Sequence, residues 1–409
     1  MTDADILDSR YSWLRMGLSL LVAAVSNVGI WAIVVVMPAM QAEFGTDRAA
    51  ASLPYTMTMI GFALGNLTIG RLVDRVGMTA SLVGATLVMS GATALAALSP
   101  SVWTLSAAQM AIGLGTAAGF GPLVADISQW FLKRRGIAVA IVASGNYLAG
   151  AIWPLVLAGL LESAGWRSAY LALAVIIPAL NLPLALCLRR RVPLVARQHS
   201  DSVASIRAGA AGLSPRTITA LLWLAGLACC MAMAMPQVHM VSLCVDMGFG
   251  AAVGGQILAV MLVAGAASRV FFGLVADRLG GVRTVLISSG LQCLALFLYL
   301  PAGGLVSLYA VSLIFGLSQG GIVPTYALVV REYMPSAEAG KRVGIVMMAT
   351  ILGMALGGWV SGWIYEMTGD YRMAFINGIG WNFLNIAILA SLLLRTRPRK
   401  TVAGTPGHA

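Results

Sequence analysis

Twelve apolar runs, each close to the length of a bilayer-spanning helix, follow one another along this 409-residue chain. They fall at about 16–40, 51–72, 79–98, 102–130, 137–161, 168–188, 218–241, 252–275, 284–301, 305–330, 344–365 and 373–394. About 20 apolar residues cross the hydrocarbon core of a membrane as a helix. Composition agrees: 59% of the residues are apolar and 10% charged, with a mean hydropathy of +0.88. Soluble domains carry about 45–50% apolar and about 25% charged residues. An ordinary soluble enzyme, a disordered chain and a secreted disulfide scaffold are excluded. Gly and Pro within the runs do not end them, because neighbouring helices re-satisfy the freed backbone groups in lipid. The expected fold is an all-α polytopic membrane protein with twelve transmembrane helices.

The net charge of +11 would suggest nucleic acid in a soluble protein. Its distribution says otherwise. Tracing the helices puts all but four of the 26 Lys and Arg residues on one side of the membrane. Arg48, Arg167 and Arg372 fall on the other side, and Arg269 lies inside a helix. This asymmetry is the positive-inside signal and predicts that both termini are cytoplasmic. No nucleic-acid partner is expected; the bilayer is the expected surroundings. The first run has full spanning length and no convincing cleavage site, so a removable signal peptide is not expected. The five cysteines form no CxxC pair and read as small apolar residues rather than disulfides or metal ligands.

The one long polar connection, about 189–217, divides the chain into a six-helix half at 16–188 and another at 218–394, with tails at 1–15 and 395–409. The halves repeat. Gly70, Asp74, Arg75 and Gly77 are answered by Gly273, Asp277, Arg278 and Gly280, each 203 residues later. Gly113-Leu114 and Gly316-Leu317 keep the same offset. Parallel six-helix repeats with a midplane site between them are a transporter architecture.

The GxxxDRxG element between the second and third helices, repeated between the eighth and ninth, resembles the loop signature of the major facilitator superfamily. The resemblance covers about residues 15–395 and implies two pseudo-symmetric halves working by alternating access. The first copy departs from the family pattern at Met78-Thr79, where a basic pair is common, and the second keeps only Arg283. A narrower resemblance joins Trp130, Phe131, Lys133, Arg134 and Arg135 to Gly145, Gly150, Pro154 and Gly165-Trp166-Arg167. With Gly369-Asp370-Tyr371-Arg372 and the segment Arg269 to Ala276, it is similar to the monocarboxylate transporter family, whose eighth helix carries a substrate arginine. The resemblance implies that role for Arg269.

Arg269 also stands out on physical grounds. It precedes Asp277, at the cytoplasmic helix end, by eight residues, or about 12 Å of helix. That places it near the middle of a core whose half-thickness is about 15 Å. Arginine there costs about 2.5–3.5 kcal/mol on insertion scales and marks a functional site by default. The matching position of the first half is Asn66, so the halves differ at their charged centre. A guanidinium matches a carboxylate bidentately. The alternative is an ion pair with Asp126, the other formal charge placed inside a helix. Oxalate-type antiporters, also similar to this chain, pair the arginine with a lysine in the eleventh helix. The run 344–365 has none, which favours a monoanion.

The resemblance also implies an acidic residue one turn before the arginine, where this chain has Gly265, and a first-helix lysine, where it has only Ser26, Asn27 and Trp31. His239 and Asp126 are therefore the candidates for proton coupling, the former because imidazole titrates near neutral pH, and His239 is also expected to line the cavity and contact substrate. Asn27, Trp31, Asn146, Tyr147, Tyr326, Trp359 and Trp381 are polar or aromatic positions from which the cavity is expected to be lined, each individually as consistent with packing. The Asp-Arg pairs of the repeated loops are expected to tie cytoplasmic helix ends together and set conformational balance.

There is no P-loop, HExxH, GxSxG or clustered His/Cys/Asp set, so no enzyme, cofactor or metal site is expected. The reading is a secondary carrier for a small organic monocarboxylate, coupled to protons, working as a monomer in a bacterial inner membrane. Anion exchange of the oxalate/formate type and efflux of drug-like solutes are the alternatives. A ligand sensor is disfavoured by short tails.

Overall fold

The computed structural model describes residues 8–127, 129–131, 134–190, 213–333 and 336–395. Among them every regular element is helical. The chain runs α1 (Arg10–Ser26), α2 (Val28–Phe44), α3 (Arg48–Val76), α4 (Met78–Ala97), α5 (Val102–Thr116), α6 (Gly121–Ile127), α7 (Arg135–Ala143) and α8 (Gly145–Cys187). It continues through α9 (Pro215–Asp246), α10 (Ala251–Leu279), α11 (Gly281–Tyr299), α12 (Leu305–Gln319), α13 (Ile322–Tyr333), α14 (Ser336–Thr368) and α15 (Arg372–Arg395). The central loop and both tails lie largely outside the described residues.

Ten stretches are long and apolar enough to cross a membrane. One of them, 137–187, has 51 residues, about 76 Å of helix and far more than one crossing needs. It turns at Gly165, whose φ of 77° a residue with a Cβ rarely adopts. The 29-residue α3 makes a further crossing. The described residues thus carry twelve crossings, as the sequence predicts. The helices are longer than the apolar runs, because their polar ends leave the lipid while staying helical: α14 begins before Lys341 rather than at 344.

The internal repeat reappears as packing. A Cβ on Gly113 of α5 would collide with the Thr58 carbonyl of α3, and one on Gly316 of α12 with the Met261 carbonyl of α10. Both contacts keep the offset of 203. So does the helix interruption at Ala117–Gly119, which corresponds to the break between α12 and α13. Gly77 and Gly280 turn between helices with φ of 89° and 80°. Their N–H groups close the preceding helices onto Val73 and Ala276, each at 2.9 Å. Arg75 and Arg278 beside them are exposed, while the side chains of Asp74 and Asp277 fall outside the described residues.

Helices of the two halves meet as α3 with α14, α8 with α10, and α2 with α9. The face opposite the termini is closed. There Arg48, at the start of α3, pairs with Asp246, at the end of α9, at 2.8 Å. Its backbone N–H donates to Glu366 of α14 at 3.1 Å, and Ser52 and the Arg48 carbonyl fill the space a side chain on Gly362 would need. One helical turn deeper, Thr56 donates to the Ala355 carbonyl at 3.1 Å.

Candidate functional site

A cavity of about 650 Å³, part of it open to solvent, lies between the two sets of six helices. Arg269 reaches it from α10 and is 4% exposed. Two helix ends explain how a guanidinium is tolerated there. Arg269 Nη1 donates to the Ala143 carbonyl at 2.6 Å, where α7 ends. Its Nε donates to the Gly320 carbonyl at 3.1 Å, at the break after α12. Terminal carbonyls lack intrahelical donors and carry partial negative charge, which favours a cation. The Tyr147 ring lies beneath the guanidinium, 4.2 Å from ring centre to guanidinium carbon. Among the described residues no ion pair includes Arg269. Two of its five N–H donors serve carbonyls, which leaves donors for a carboxylate.

The alternative pairing with Asp126 is corrected by the structure. Asp126 belongs to Arg15 of α1, Nε to Oδ2 at 2.8 Å and Nη2 to Oδ1 at 3.0 Å. Arg15 also donates to the Leu188 carbonyl and lies 4.6 Å from the Trp130 ring centre. Read from the sequence as one of the cytoplasmic-side charges, Arg15 is 1% exposed inside the first half.

Trp31, Asn146 and Tyr147 line the cavity with Arg269. Trp31 Nε1 donates to both the backbone carbonyl and Oδ1 of Asn146, at 2.8 and 2.9 Å, which fixes the indole against α8. A Cβ on Gly265 would sit 3.0 Å from the Tyr147 ring. The place of the family's acidic residue is thus filled by an aromatic ring.

The other sequence candidates lie outside the lining. Asn27 is buried, its amide joining the Ala23 and Gly119 carbonyls and so tying α1 to the interruption after α5. Tyr326 donates to Asn385, within the packing of the second half. Trp359 is half-buried on α14, and Trp381 packs beside Leu227 and Met231. His239 is fully buried one layer beyond the cavity. Its Nε2 donates to the Gly358 carbonyl at 2.8 Å, and its Nδ1 faces the Tyr371 hydroxyl at 3.2 Å. Gly358 packs on Tyr55, a cavity residue, and Tyr371 packs on Tyr365 at 4.4 Å between ring centres. Tyr365 in turn lies beneath Arg48. His239 therefore stands between the cavity and the closed face.

Sequence reasoning missed Gln237, Tyr55, Phe62, Phe120 and the methionines of the lining. Gln237 carried the clearest polar signal, two residues before His239 in an apolar run. The aromatic and thioether residues carry no sign that separates lining from packing.

Two sets of six helices with a cavity between them and one closed face are the architecture of a membrane transporter. The chain belongs to the Major Facilitator Superfamily, whose profile matches residues 19–341 and 222–409. It is a multi-pass membrane transporter and not an enzyme. It is 30% identical to human monocarboxylate transporter 11 over 65% of this chain and 59% of that protein. It is 24% identical to the gentisate transporter of Corynebacterium glutamicum over 90% of this chain and 84% of that protein. It is also 24% identical to the agnestins efflux protein of Paecilomyces divaricatus over 86% and 81% of the two chains. A bacterial homologue of the lysosomal transporter Spinster, in an inward-facing and occupied conformation, shares the fold with a TM-score of 0.72 at 14% identity, covering 95% of this chain and 97% of that one.

Proposed function

We propose that this transporter moves a small organic monocarboxylate by alternating access, with Arg269 holding the carboxylate and a proton moving with it. The observation that carries the reading is a buried cavity arginine with no acidic partner among the described residues. One carboxylate balances that charge, whereas a dianion would bring a second buried charge costing several kcal/mol. Similarity to a protein named as a monocarboxylate transporter supports the substrate class. The positive-inside asymmetry supports cytoplasmic termini in the inner membrane, and with them an outward-closed state held by Arg48 and Asp246.

His239 is the proposed proton site. With Nε2–H committed to Gly358, neutral imidazole can only accept from Tyr371. Protonation turns Nδ1 into a donor, so the Tyr371 hydroxyl must reverse its bond. Tyr371 is in ring contact with Tyr365 beneath Arg48. A proton on His239 thus disturbs the aromatic floor of the closed face.

Efflux of uncharged or cationic solutes is the competing reading, given a relative named as an efflux protein. Uptake of labelled carboxylates into proteoliposomes, with and without an inward proton gradient, separates the two. Gradient-driven accumulation of a monocarboxylate is expected. Movement of a cationic dye without any carboxylate flux would overturn the proposal.

A further inference from the structure

We infer that the substrate is a hydroxylated aromatic monocarboxylate, with its ring between two chemically different walls and its ring hydroxyl donated to Gln237. The inference rests on the carboxylate reading of Arg269 and narrows it.

The walls are the first observation. The aromatic lining residues Trp31, Tyr55, Phe62, Phe120 and Tyr147 all come from the first six helices, together with Met59. The second six contribute Met233, Met347 and Met354 beside Arg269. Thioether sulfur is a favourable neighbour of an aromatic ring, and rings favour offset or edge contacts with rings. A planar aromatic solute gains from both walls, whereas an aliphatic acid of two or three carbons touches little of either.

The walls are also set in place. The Trp31 indole lies where a side chain on Gly150 would stand, and its N–H is committed to Asn146. The Tyr147 ring is wedged by Gly265 on one side and faced by Arg269 on another. Rings held this way lose little freedom when a flat ligand docks.

Gln237 supplies the third observation. It lines the cavity and is 2% exposed. Its amide nitrogen is committed to Gln319 Oε1 at 2.6 Å. Among the described residues no donor reaches its own Oε1. It therefore presents the cavity with an acceptor. A carboxylate bound at Arg269 has no proton to give it, and a phenolic hydroxyl does. A ligand that displaces water from this acceptor without donating to it leaves it unmet, which costs more than the bond itself contributes, so the site favours a ligand carrying both groups.

The test is binding to the purified full-length transporter in lipid nanodiscs, measured calorimetrically for lactate, cyclohexanecarboxylate, benzoate, 3-hydroxybenzoate and 4-hydroxybenzoate. Benzoate is expected to bind about tenfold more tightly than cyclohexanecarboxylate, and one hydroxybenzoate about tenfold more tightly than benzoate. Gln237→Leu should erase the preference for the hydroxybenzoate, read as the ratio of hydroxybenzoate to benzoate affinity within the variant. Gln237→Met, close to glutamine in size but without the amide, provides the same comparison should the leucine variant fold poorly. Lactate binding that depends on Arg269, without preference for aromatic acids, would overturn this inference and leave the carboxylate reading intact. Aromatic binding with no hydroxyl preference, or with one that survives both variants, would overturn the role of Gln237. No carboxylate binding at all, with a cationic dye bound instead, would overturn both readings together.

Discussion

Arg48 and Asp246 meet at 2.8 Å, and through them the start of α3 in the first half is fastened to the end of α9 in the second. Both Asp246 oxygens lie within 3.0 Å of one Arg48 nitrogen, and the Arg48 side chain is 7% exposed. Breaking a largely buried pair by removing one partner costs about 3–5 kcal/mol. In the proposed alternating-access cycle these helices separate in the other state, so part of that cost falls on the closed face alone. Arg48→Met or Asp246→Asn should therefore shift the population towards opening at this face. Cys230, in the cavity lining, reports it. With Cys244 replaced by serine, labelling of Cys230 by a membrane-impermeant thiol reagent from that face should rise several-fold in either variant. Unchanged labelling would mean that packing alone, such as that of Ser52 on Gly362, holds the face shut.

The Arg15–Asp126 pair makes the opposite kind of contribution. It lies within the first half, away from the cavity, and stays together as the halves rock. Asp126→Asn should lower the unfolding temperature by several degrees while leaving substrate preference unchanged, since the stranded guanidinium costs about 3–5 kcal/mol. Replacing both partners by apolar residues should restore much of the loss. A variant that kept its stability but changed its substrate range would return Asp126 to consideration as a binding residue.

The sequence makes the membrane class, the twelve crossings and the repeat legible, because each rests on a pattern longer than any local accident. Gly113 and Gly316 show why the repeat is visible: both stand where two backbones nearly touch, and only glycine fits. Arg269 is legible for a similar reason, since its cost in a membrane interior is large. The partner of Asp126 was not. Arg15 sits five residues into α1, where the same residue could face solvent or the protein, and nothing local decides between them. The cavity wall was equally hidden. Tyr55 and Phe62 look the same in the sequence as the tyrosines and phenylalanines of the core, and only the arrangement of helices separates them.

His239 bears on coupling rather than on binding. His239→Gln keeps an N–H for the Gly358 carbonyl and removes the titrating nitrogen. The variant should exchange substrate across the membrane at near the normal rate. Accumulation driven by an inward proton gradient should fall to the level seen without one. Full gradient-driven accumulation would remove His239 from the mechanism and leave the substrate itself, entering as the neutral acid, as the proton carrier.

The central claim is that Arg269 holds the carboxylate. Its most direct test is counterflow of a labelled monocarboxylate in proteoliposomes containing wild type, Arg269→Lys or Arg269→Gln, with protein levels matched. Truncating one side of a buried, hydrogen-bonded charge pair costs about 2–5 kcal/mol, so Arg269→Gln should lose roughly 30-fold or more in kcat/KM. Arg269→Lys keeps the charge without the planar fork and should fall between the two. Counterflow by Arg269→Gln at the wild-type rate would contradict the account.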